Sequence, residues 1–321
     1  MPGDKCIPDD AKELTRLDIK LLDLLALLYE GRRINVTTQM ERHVIIFEFD
    51  GVKLTLDDVK PLEELALASR KVIDRVLRCP KCDYRGLEVK LLCPNCGSTN
   101  IERVRIIQHR ICGYIDLEIN FRRDGQMICP HCHSPILSEN DYRVLGTLYY
   151  CYNCRTRFHE PDVMLVCNRC GARFRPAEGA YRPVYGLELT EKARRLIRDA
   201  HDFRVALYKL LEERGVEYTC EASLTGSSGV TYELDFYIPG VKLGIDIEPR
   251  IASHNDAVYF ALKARDLNMA GHLDMLVVVT REATKESISI LTSSPHITLL
   301  LGETPSKLTR LVSDILSGHR R

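Results

Sequence analysis

The sequence predicts a multi-domain chain with three parts. They are an N-terminal α+β cap over residues 1–78, three tandem small β ribbons over residues 79–184, and a C-terminal α/β domain over residues 185–321. Three observations lead to this division. The chain has 321 residues, more than one typical domain needs. Cysteine pairs with a two-residue gap are confined to the middle part, and mixed strand and helix patterns follow them.

The N-terminal part combines two predicted helices with a hairpin. Leucines at helical spacing predict a helix over residues 11–29, and Gly31 is a suitable stop. Residues 43–49 and 52–56 alternate as two strands around a tight Asp-Gly turn, and residues 61–77 are predicted as a second helix. The unit fits either a small winged-helix-like module or a plain cap on the first ribbon. The cap is favoured, because no basic recognition helix stands out.

Paired side chains in the middle part have the spacing of metal-binding knuckles. The pairs are Cys79 and Cys82, Cys93 and Cys96, His109 and Cys112, Cys129 and Cys132, Cys151 and Cys154, and Cys167 and Cys170. Zinc takes four nitrogen or sulfur ligands in a tetrahedron, and one knuckle supplies two of them. The six pairs therefore complete three sites, two with four cysteines and one with three cysteines and a histidine. Only Cys6 and Cys220 are left without a pair. Six matched pairs indicate metal binding more strongly than a single CxxC would, because redox sites share that spacing.

The order of the pairs predicts tandem ribbons, each made of a knuckle, a hairpin and a second knuckle. Ribbons of this size bury little apolar surface, so the metal is expected to supply much of their folding energy. Closed four-ligand sites leave no position for a reacting water, so the zinc ions are expected to be structural. His131 and His133 flank Cys132 and are rival ligands to His109. His109 is favoured, because it lies in phase with Cys112.

The charge composition gives no support for a general nucleic-acid-binding surface. The whole chain has 45 basic and 45 acidic residues. Residues 79–184 carry 15 basic and 11 acidic groups, but three zinc ions bound to eleven thiolates offset this excess. Any nucleic-acid surface is therefore expected to be a local patch. No apolar run is long enough to span a bilayer, which predicts that no membrane is involved, and thiols placed for metal predict a reducing cytoplasm.

The last part predicts a mixed α/β sandwich, in which a nearly all-apolar strand indicates a sheet buried on both faces. Thr190 and Gly215 are suitable caps for its first helix. The predicted elements, in order, are a helix over residues 191–214, strands over 216–221, 230–238 and 241–247, a helix over 256–270, a strand over 275–280, a short helix over 282–290, a strand over 297–301 and a helix over 306–316.

Two strands of this domain place acidic side chains on one face of a hairpin. Asp235 lies in the first strand, and Asp246 and Glu248 lie in the second. With a two-residue turn, Asp235 would lie opposite Gly244 and diagonal to Asp246, and Gly244 would leave space beside Asp235. Clustered carboxylates repel one another unless a cation lies among them, which favours a Mg²⁺ site that can polarise a phosphodiester and activate water. The alternative is a half-exposed hairpin with a solvated polar face.

This carboxylate pattern resembles the PD-(D/E)xK nuclease superfamily, which includes restriction enzymes and archaeal junction resolvases. The resemblance covers residues 185–321 and rests on a helix and three strands, with Asp235 late in the second strand and Asp246-Ile247-Glu248 late in the third. It implies a restriction-endonuclease-like fold with Asp235 and Asp246 as catalytic acids. The chain departs from the pattern at Glu248, where the family has its lysine.

The departure at position 248 leaves several candidates for the missing lysine. A second alignment takes Glu248-Pro249-Arg250 as the E-x-K element, in which arginine can hold a phosphate but cannot easily act as a base. The other candidates are Lys242 and Lys263 as substitutes for the lysine, and Glu212 and Glu213 as the acid of the first helix.

The first two parts resemble the thaumarchaeal output domain, a multi-zinc module of archaeal regulatory proteins. The resemblance covers about residues 10–180 and rests on the segments Cys79-Pro80-Lys81-Cys82, Cys93-Pro94-Asn95-Cys96-Gly97-Ser98, Gln108-His109-Arg110-Ile111-Cys112-Gly113, Cys129-Pro130-His131-Cys132 and Asp141-Tyr142-Arg143. The family usually has glutamate where Gln108 stands, and its His-x-x-Cys pattern supports His109 as a ligand. The resemblance implies an archaeal protein with zinc and a regulatory or DNA-linked role, but no particular reaction.

These patterns favour a cytoplasmic protein whose zinc ribbons recognise nucleic acid, with DNA favoured, or a protein partner. The ribbons would deliver that partner to a nuclease domain that depends on Mg²⁺ or Mn²⁺ and uses Asp235, Asp246 and Glu248. The main alternative is a non-catalytic adapter, in which a degenerate nuclease fold binds nucleic acid or protein. A third interpretation is a transcription or signalling module whose ribbons bind protein alone. Cys220 lies in a strand pattern and is interpreted as a core residue.

Overall fold

The fold is taken from a computed structural model, which describes residues 6–40, 42–123 and 125–318. The α-helices, in chain order, are α1 (Ile19–Tyr29), α2 (Lys60–Glu64), α3 (Glu118–Phe121), α4 (Glu191–Arg198), α5 (His201–Arg214), α6 (His254–Met269), α7 (Lys285–Ser293) and α8 (Pro305–Gly318). Short 3-10 helices cover Asp9–Arg16, Glu139–Asp141, Pro176–Glu178 and Pro239–Val241. None of the helices in these described ranges is long and apolar enough to cross a membrane.

The β-strands, in chain order, are β1 (Asn35–Thr38), β2 (Ile45–Phe49), β3 (Val52–Thr55), β4 (Ala68–Arg78), β5 (Leu87–Leu92), β6 (Ile101–His109), β7 (Ile115–Leu117), β8 (Arg122–Arg123), β9 (Gln126–Met127), β10 (Tyr142–Cys151), β11 (Arg157–Phe158), β12 (Asp162–Cys167), β13 (Arg173–Phe174), β14 (Ala180–Leu189), β15 (Thr219–Thr225), β16 (Thr231–Ile238), β17 (Leu243–Ile251), β18 (Met275–Ala283) and β19 (Ile297–Leu301).

The chain forms two compact units. The boundaries between them fall after Thr37, before Val44, after Ile73 and before Tyr185. The first unit contains α1, the hairpin of β2 and β3, and the elements from α4 to α8, whereas the second contains the strands from β5 to β13. The N-terminal part therefore does not form a unit of its own. Most of it shares an apolar core with the C-terminal segment.

The first unit is built on a five-stranded mixed sheet in the order β15-β16-β17-β18-β19. The first three strands are antiparallel neighbours, and β17, β18 and β19 are parallel neighbours. Apolar side chains of α1, α5 and α8 form one cluster with the sheet, and those of α6 and α7 form a second cluster with it. The predicted mixed α/β arrangement is therefore present, but the strand order alone does not identify a nuclease fold.

The predicted helix over residues 61–77 is wrong. The helix α2 ends after five residues, and β4 follows as an eleven-residue strand. Val72, Ile73 and Val76 are β-branched, which favours extended backbone. In addition, β4 pairs with β14, a strand far away in the sequence, and local helical spacing cannot reveal such a partner.

Two other helices predicted for the first unit, over residues 11–29 and 191–214, are each split into two shorter helices. The Asp18 side chain accepts a hydrogen bond from the Leu21 amide, which starts α1 and separates it from the preceding 3-10 helix. Thr190 caps α4 as predicted. However, that helix ends at Arg198, and Ala200 takes a left-handed conformation with a φ of 58° before α5 begins.

A buried arginine joins one strand of the first unit to three of its helices. Arg281 on β18 donates to the Asp202 carboxylate and, at 2.8 Å, to the Ile197 carbonyl, and it pairs with Glu30 at 3.3 Å. Its guanidinium lies 4.8 Å from the centroid of the Phe203 ring. Burial raises the pKa of Asp202 against the opposing effect of Arg281. Because loss of Arg281 or Asp202 would leave an uncompensated buried charge, these contacts fix β18 relative to α1, α4 and α5.

The second unit has little apolar core. It contains a four-stranded sheet in the order β11-β10-β6-β7, a three-stranded sheet in the order β13-β12-β5, and the hairpin of β8 and β9. Its apolar side chains form clusters of only three to five buried residues each. Since stabilisation by the hydrophobic effect scales with the apolar area buried, this unit needs another source of stability.

Candidate metal centres and carboxylate site

The six ligand pairs meet in three clusters, each with four donor atoms within 4.8 Å of one another. The outer cluster contains Cys79, Cys82, Cys167 and Cys170, the middle cluster contains Cys93, Cys96, Cys151 and Cys154, and the inner cluster contains His109, Cys112, Cys129 and Cys132. The prediction of three tandem ribbons is therefore wrong. The first pair meets the last and the second meets the fifth, so the clusters are nested.

Strand pairing explains the nested order. The strand β5 pairs antiparallel with β12, beginning with Leu87 opposite Cys167. The strand β6 pairs antiparallel with β10, ending with His109 opposite Tyr142. The chain thus runs outward through β5 and β6 and returns through β10 and β12 as one long antiparallel hairpin. A knuckle on the outward path therefore meets a knuckle on the return path. The third and fourth pairs are the two that are neighbours in the sequence and also share a cluster.

All six knuckles share one backbone turn. In each knuckle, the residue after the second ligand has a φ between 55° and 73°, and its amide donates to the carbonyl of the first ligand at 2.8–2.9 Å. These residues are Asp83, Gly97, Gly113, His133, Arg155 and Gly171. Left-handed backbone is easy for glycine and costly for most other residues. Its repetition at six positions indicates that the turns are shaped to present paired ligands.

The distances between ligand atoms fit a tetrahedral ion of the size of zinc. The Sγ atoms of facing knuckles lie 3.5–3.6 Å apart in the three clusters. A tetrahedron with Zn–S bonds of about 2.3 Å has edges of about 3.8 Å, whereas a disulfide is about 2.0 Å long. The clusters can therefore hold zinc ions.

The histidine of the inner cluster is His109. Its Nδ1 lies 3.2 Å from Cys112 Sγ and 3.4 Å from Cys132 Sγ. The ring is buried, and its Nε2 has no hydrogen-bond partner within the described residues. His133 occupies the left-handed position of its knuckle, and His131 stacks on a neighbouring tyrosine at 5.5 Å. Nδ1 of His109 is thus the atom that faces the metal position, and neither rival histidine lies in the cluster.

Zinc stoichiometry distinguishes nested from tandem pairing. The variant Cys79→Ser/Cys167→Ser removes ligands from the outer cluster alone, so it is expected to bind about two zinc ions instead of about three. Under tandem pairing it would lose two sites. The matched variant Cys79→Ser/Cys93→Ser is expected to behave in the opposite way, because its cysteines belong to two clusters. Metal content per chain, measured by mass spectrometry after removal of free zinc, decides between the two arrangements.

The two cysteines outside the clusters are joined to each other. Cys6 and Cys220 form a disulfide across 214 residues of sequence, with Cα atoms 5.3 Å apart. Both side chains contact the main apolar cluster of the first unit. The bridge fastens the segment before α1 to β15. Its presence contradicts the expectation that the thiols of this chain serve metal rather than disulfides. Cys220 lies against the core, and its sulfur is not a free nucleophile.

Asp235 on β16 and Asp246 on β17 meet where the pairing of their strands ends. The backbone ladder between these strands ends with Phe236 opposite Ile245. Beyond it, Asp235 Oδ2 accepts the Ile247 amide at 2.6 Å, and Asp246 Oδ1 accepts the Asp235 amide at 3.3 Å. Each carboxylate thus replaces a ladder bond and is held by the backbone of the other strand.

The register of this hairpin differs from the predicted one. Tyr237, not Asp235, lies opposite Gly244. The reason is a longer connection, a 3-10 turn over Pro239–Val241 followed by Lys242 in the left-handed conformation. A Cβ at Gly244 would approach two leucine side chains to 3.0 and 3.1 Å, so this glycine makes room for apolar packing rather than for Asp235.

Each of these two carboxylates is paired with a cation from a helix. Lys263 on α6 donates to Asp246 Oδ2 at 2.6 Å and to the Glu233 carbonyl, and its side chain is 3% exposed. Arg204 on α5 donates to Asp235 Oδ1 at 2.6 Å. Burial raises the pKa of Asp246 against the opposing effect of Lys263. Asp246 is therefore a buried carboxylate whose ionised form depends on Lys263.

Glu248 is exposed and lies two residues further along β17. Loss of solvation and the charges of Asp235, Asp246 and Asp256 raise its pKa. The oxygens of these three carboxylates nevertheless do not converge. Within the described ranges, groups of three or more ligand atoms within 4.8 Å of one another occur at the cysteine clusters and not at this site. The predicted catalytic residues thus form a pair of ion-paired carboxylates with a third, exposed one beside them.

Among the substitutes considered for the missing lysine, Lys263 contacts a carboxylate of the site, that of Asp246. Arg250 instead pairs with Glu282 at 3.6 Å on the surface. Glu212, a candidate acid of the first helix, accepts a hydrogen bond from a tyrosine hydroxyl. The residue of α5 that reaches the site is Arg204, which the sequence analysis missed. A single arginine on a helix has no spacing that connects it to a carboxylate on a strand.

Comparison with known proteins identifies the family to which most of this chain belongs. The model of thaumarchaeal output domain 1 matches residues 12–189, more than half of the chain. The match includes all three metal-ligand clusters and ends before the carboxylate-bearing strands. A search of curated proteins found no match. The chain therefore belongs to the thaumarchaeal output domain 1 family, which indicates a regulatory role.

Proposed function

We propose that this chain is a zinc-stabilised regulatory protein whose first unit hydrolyses phosphodiester bonds of nucleic acid with Mg²⁺ or Mn²⁺. The observation that supports the proposal is the meeting of Asp235, Asp246 and Lys263, with Glu248 exposed beside them. The resemblance of this segment to PD-(D/E)xK nucleases points to the same reaction. Lys263, supplied by α6, would replace the lysine that is absent at position 248.

The kind of donor atom suits a hard divalent cation, whereas the present spacing of the oxygens does not converge on one point, so binding would require these carboxylates to move together. Mg²⁺ prefers oxygen ligands and often binds one or two carboxylates while it keeps several waters. Asp235, Asp246 and Glu248 supply such oxygens. The pKa of Glu248 is raised by loss of solvation and by its acidic neighbours, and a cation would neutralise that negative charge. When bound, the cation supplies Lewis acidity that polarises the phosphodiester and acidifies water.

The side chains of the site would have separate tasks. Lys263 balances the charge of Asp246 and holds its carboxylate near Asp235. Arg204 is suited to a phosphate, because its guanidinium is planar and already lies at this site. Glu248 is the exposed group that would accept the proton of the attacking water. The water oxygen bonds to phosphorus, the bond to the departing sugar oxygen breaks, and that oxygen takes up a proton from solvent.

The second unit would act as a scaffold and a recognition module. Closed sites with four protein ligands leave no position for a reacting water, so the zinc ions would not take part in hydrolysis. We propose that this unit binds nucleic acid, with DNA favoured, or a protein partner. A reducing cytoplasm is the compartment in which eleven free cysteines would remain available for metal, and the Cys6–Cys220 bridge, which packs against the apolar core, is the exception that would have to persist there.

One observation favours a second candidate, a non-catalytic adapter. Asp235 and Asp246 each already hold a cationic side chain, at 2.6 Å in both cases. The charges of these two carboxylates are therefore balanced by the chain itself, and the first unit could serve as a binding platform for nucleic acid or protein.

A cleavage assay separates the two candidates. The full chain, loaded with zinc, is incubated with single-stranded, duplex and branched DNA and with RNA in the presence of Mg²⁺ or Mn²⁺. The Asp235→Asn variant is expected to lower the cleavage rate by about 100-fold or more, because it removes a charge needed to hold the cation. The matched control is Asp314→Asn, an exposed aspartate on α8, which is expected to cleave as the unmodified chain does.

The outcomes of this assay are distinct. Cleavage by the unmodified chain that is lost in Asp235→Asn supports the nuclease. A gel shift without cleavage of any substrate supports the adapter. If cleavage persists in Asp235→Asn, the proposed site is not the source of the activity. If neither cleavage nor binding occurs, both nucleic-acid proposals are wrong, and a protein partner becomes the subject of a pull-down.

A further inference from the structure

The helix α6 carries an exposed aromatic ring beside the carboxylate site. Tyr259 is 48% exposed, and the centroid of its ring lies 5.9 Å from Nζ of Lys263, the ammonium that bonds to Asp246. The rings of Phe260 and Tyr232 lie 5.7 and 6.1 Å from the Tyr259 ring. Because both of those rings are only 7% exposed, they support Tyr259 while part of its own surface stays open to solvent.

The Tyr259 hydroxyl lies within the electrostatic field of the site. Loss of solvation raises its pKa, and the charges of Asp246 and Glu233 raise it further. Because the Tyr259 ring centroid lies 5.9 Å from the ammonium that bonds to Asp246, a ligand that places a phosphate at the carboxylates would bring its next chemical group to this ring.

A cavity of about 350 Å³ shares Tyr232 with this aromatic cluster. Its lining also includes Leu262, Arg265 and Met269 of α6. Leu262 and Met269 are 56% and 66% exposed, so the cavity presents open apolar surface. Arg265 is exposed and adds a positive charge at the same place, while the carboxylate of Asp266, which also lines the cavity, is held by hydrogen bonds from Ser227 and Ser228. Apolar surface next to a cation suits a flat base that is joined to a phosphate.

We infer that Tyr259 stacks on an unpaired base and that the substrate of this site is single-stranded nucleic acid, an inference that rests on the proposed function. In a duplex the faces of the bases are covered by their neighbours and only their edges are open, in the grooves. A single strand exposes those faces, and aromatic side chains bind them with little dependence on sequence. The cavity beside Tyr232 receives the neighbouring base, and Arg265 contacts a phosphate.

The inference is tested by fluorescence with oligonucleotides that contain one 2-aminopurine, whose emission falls when it stacks. The full zinc-loaded chain is mixed with single-stranded DNA or RNA and with the matching duplex, and Ca²⁺ replaces Mg²⁺ to prevent turnover. Tyr259→Leu keeps an apolar side chain without the ring, and it is expected to lose the quenching and to weaken single-strand binding by about 5- to 150-fold. Tyr259→Phe keeps the ring face and is expected to restore the quenching.

The results can overturn the inference without overturning the nuclease. If Tyr259→Leu binds and quenches like the unmodified chain, or if the duplex binds as tightly as the single strand, the inference is wrong even when the chain cleaves. If the ring-dependent quenching is present but no substrate is cleaved with Mg²⁺ or Mn²⁺, the stacking site stands and the proposed hydrolysis fails. A raised KM of Tyr259→Leu for single strands, at equal zinc content, would support both.

Discussion

Removal of the metal ions is expected to unfold the second unit while the first unit stays folded. The second unit has apolar clusters of only three to five buried residues, and twelve of its side chains are gathered as metal ligands. Binding of structural zinc in small domains contributes about 10–16 kcal/mol per site, which exceeds the total stability of a typical domain. The first unit has its own large apolar core, and its described residues form no such cluster of ligands.

The nested order makes this loss cooperative. The inner cluster joins Cys112 and Cys129, which are 17 positions apart, whereas the middle and outer clusters join residues 55 and 85 positions apart. Once the inner cluster has formed, the next knuckles are already near each other along β6 and β10, so the effective loop is shorter. Stripping the ions therefore releases a single long hairpin rather than three independent ribbons.

Hydrogen exchange with mass spectrometry measures this difference directly. The chain is treated with a strong chelator and a phosphine reductant, which prevents new disulfides between the released thiols. Because the reductant also opens the Cys6–Cys220 bridge of the first unit, a sample treated with the reductant alone is the reference. Peptides from β5 to β13 are expected to lose protection, and peptides from β16 to β18 are expected to keep it. Added Zn²⁺, but not Mg²⁺, should restore the protection. If the metal-free chain keeps β5 to β13 protected, the second unit is held together by something other than metal.

The identities of the metal ligands were accessible from the sequence, but their pairing was not. A CxxC knuckle is a local turn, and its spacing identifies two ligands without naming the other two. The partner of Cys79 depends on the pairing of β5 with β12, between strands that are far apart in the chain. The Cys6–Cys220 bridge is a similar case, since nothing local to either cysteine reveals a partner 214 residues away.

The sequence was sufficient to predict which acidic residues lie at the carboxylate site, but not the strand register or the cations that pair with them. The alternation of side chains along two strands was enough to predict that Asp235 and Asp246 lie near each other. The turn between the strands is longer than the Pro-Gly pair suggested, so the register differs. The cations come from helices, and a helical pattern does not show which side chain points at a neighbouring strand. Lys263 was therefore one of several candidates, and Arg204 was absent from them.

Replacement of Lys263 by methionine is expected to destabilise the first unit by about 3–5 kcal/mol and to abolish cleavage. Methionine matches the length of the lysine stem without its ammonium. Asp246, at 6% exposure, would lose its cation, and an uncompensated buried charge has a cost of this size. The double variant Lys263→Met/Asp246→Asn removes both charges, so it is expected to recover most of the stability but none of the cleavage.

A double-mutant cycle with these two variants and Asp246→Asn alone isolates the energy of the pair. Denaturant-dependent hydrogen exchange of peptides from β17 and α6 reports on the first unit without interference from the metal centres. The control is Lys307→Met, an exposed lysine on α8, which is expected to change stability by less than about 0.5 kcal/mol. If Lys263→Met is as stable as the unmodified chain, Asp246 does not depend on this cation. If the double variant is stable and still cleaves, hydrolysis takes place at another site, because a neutral pair at these positions can neither hold a divalent cation nor orient a phosphate.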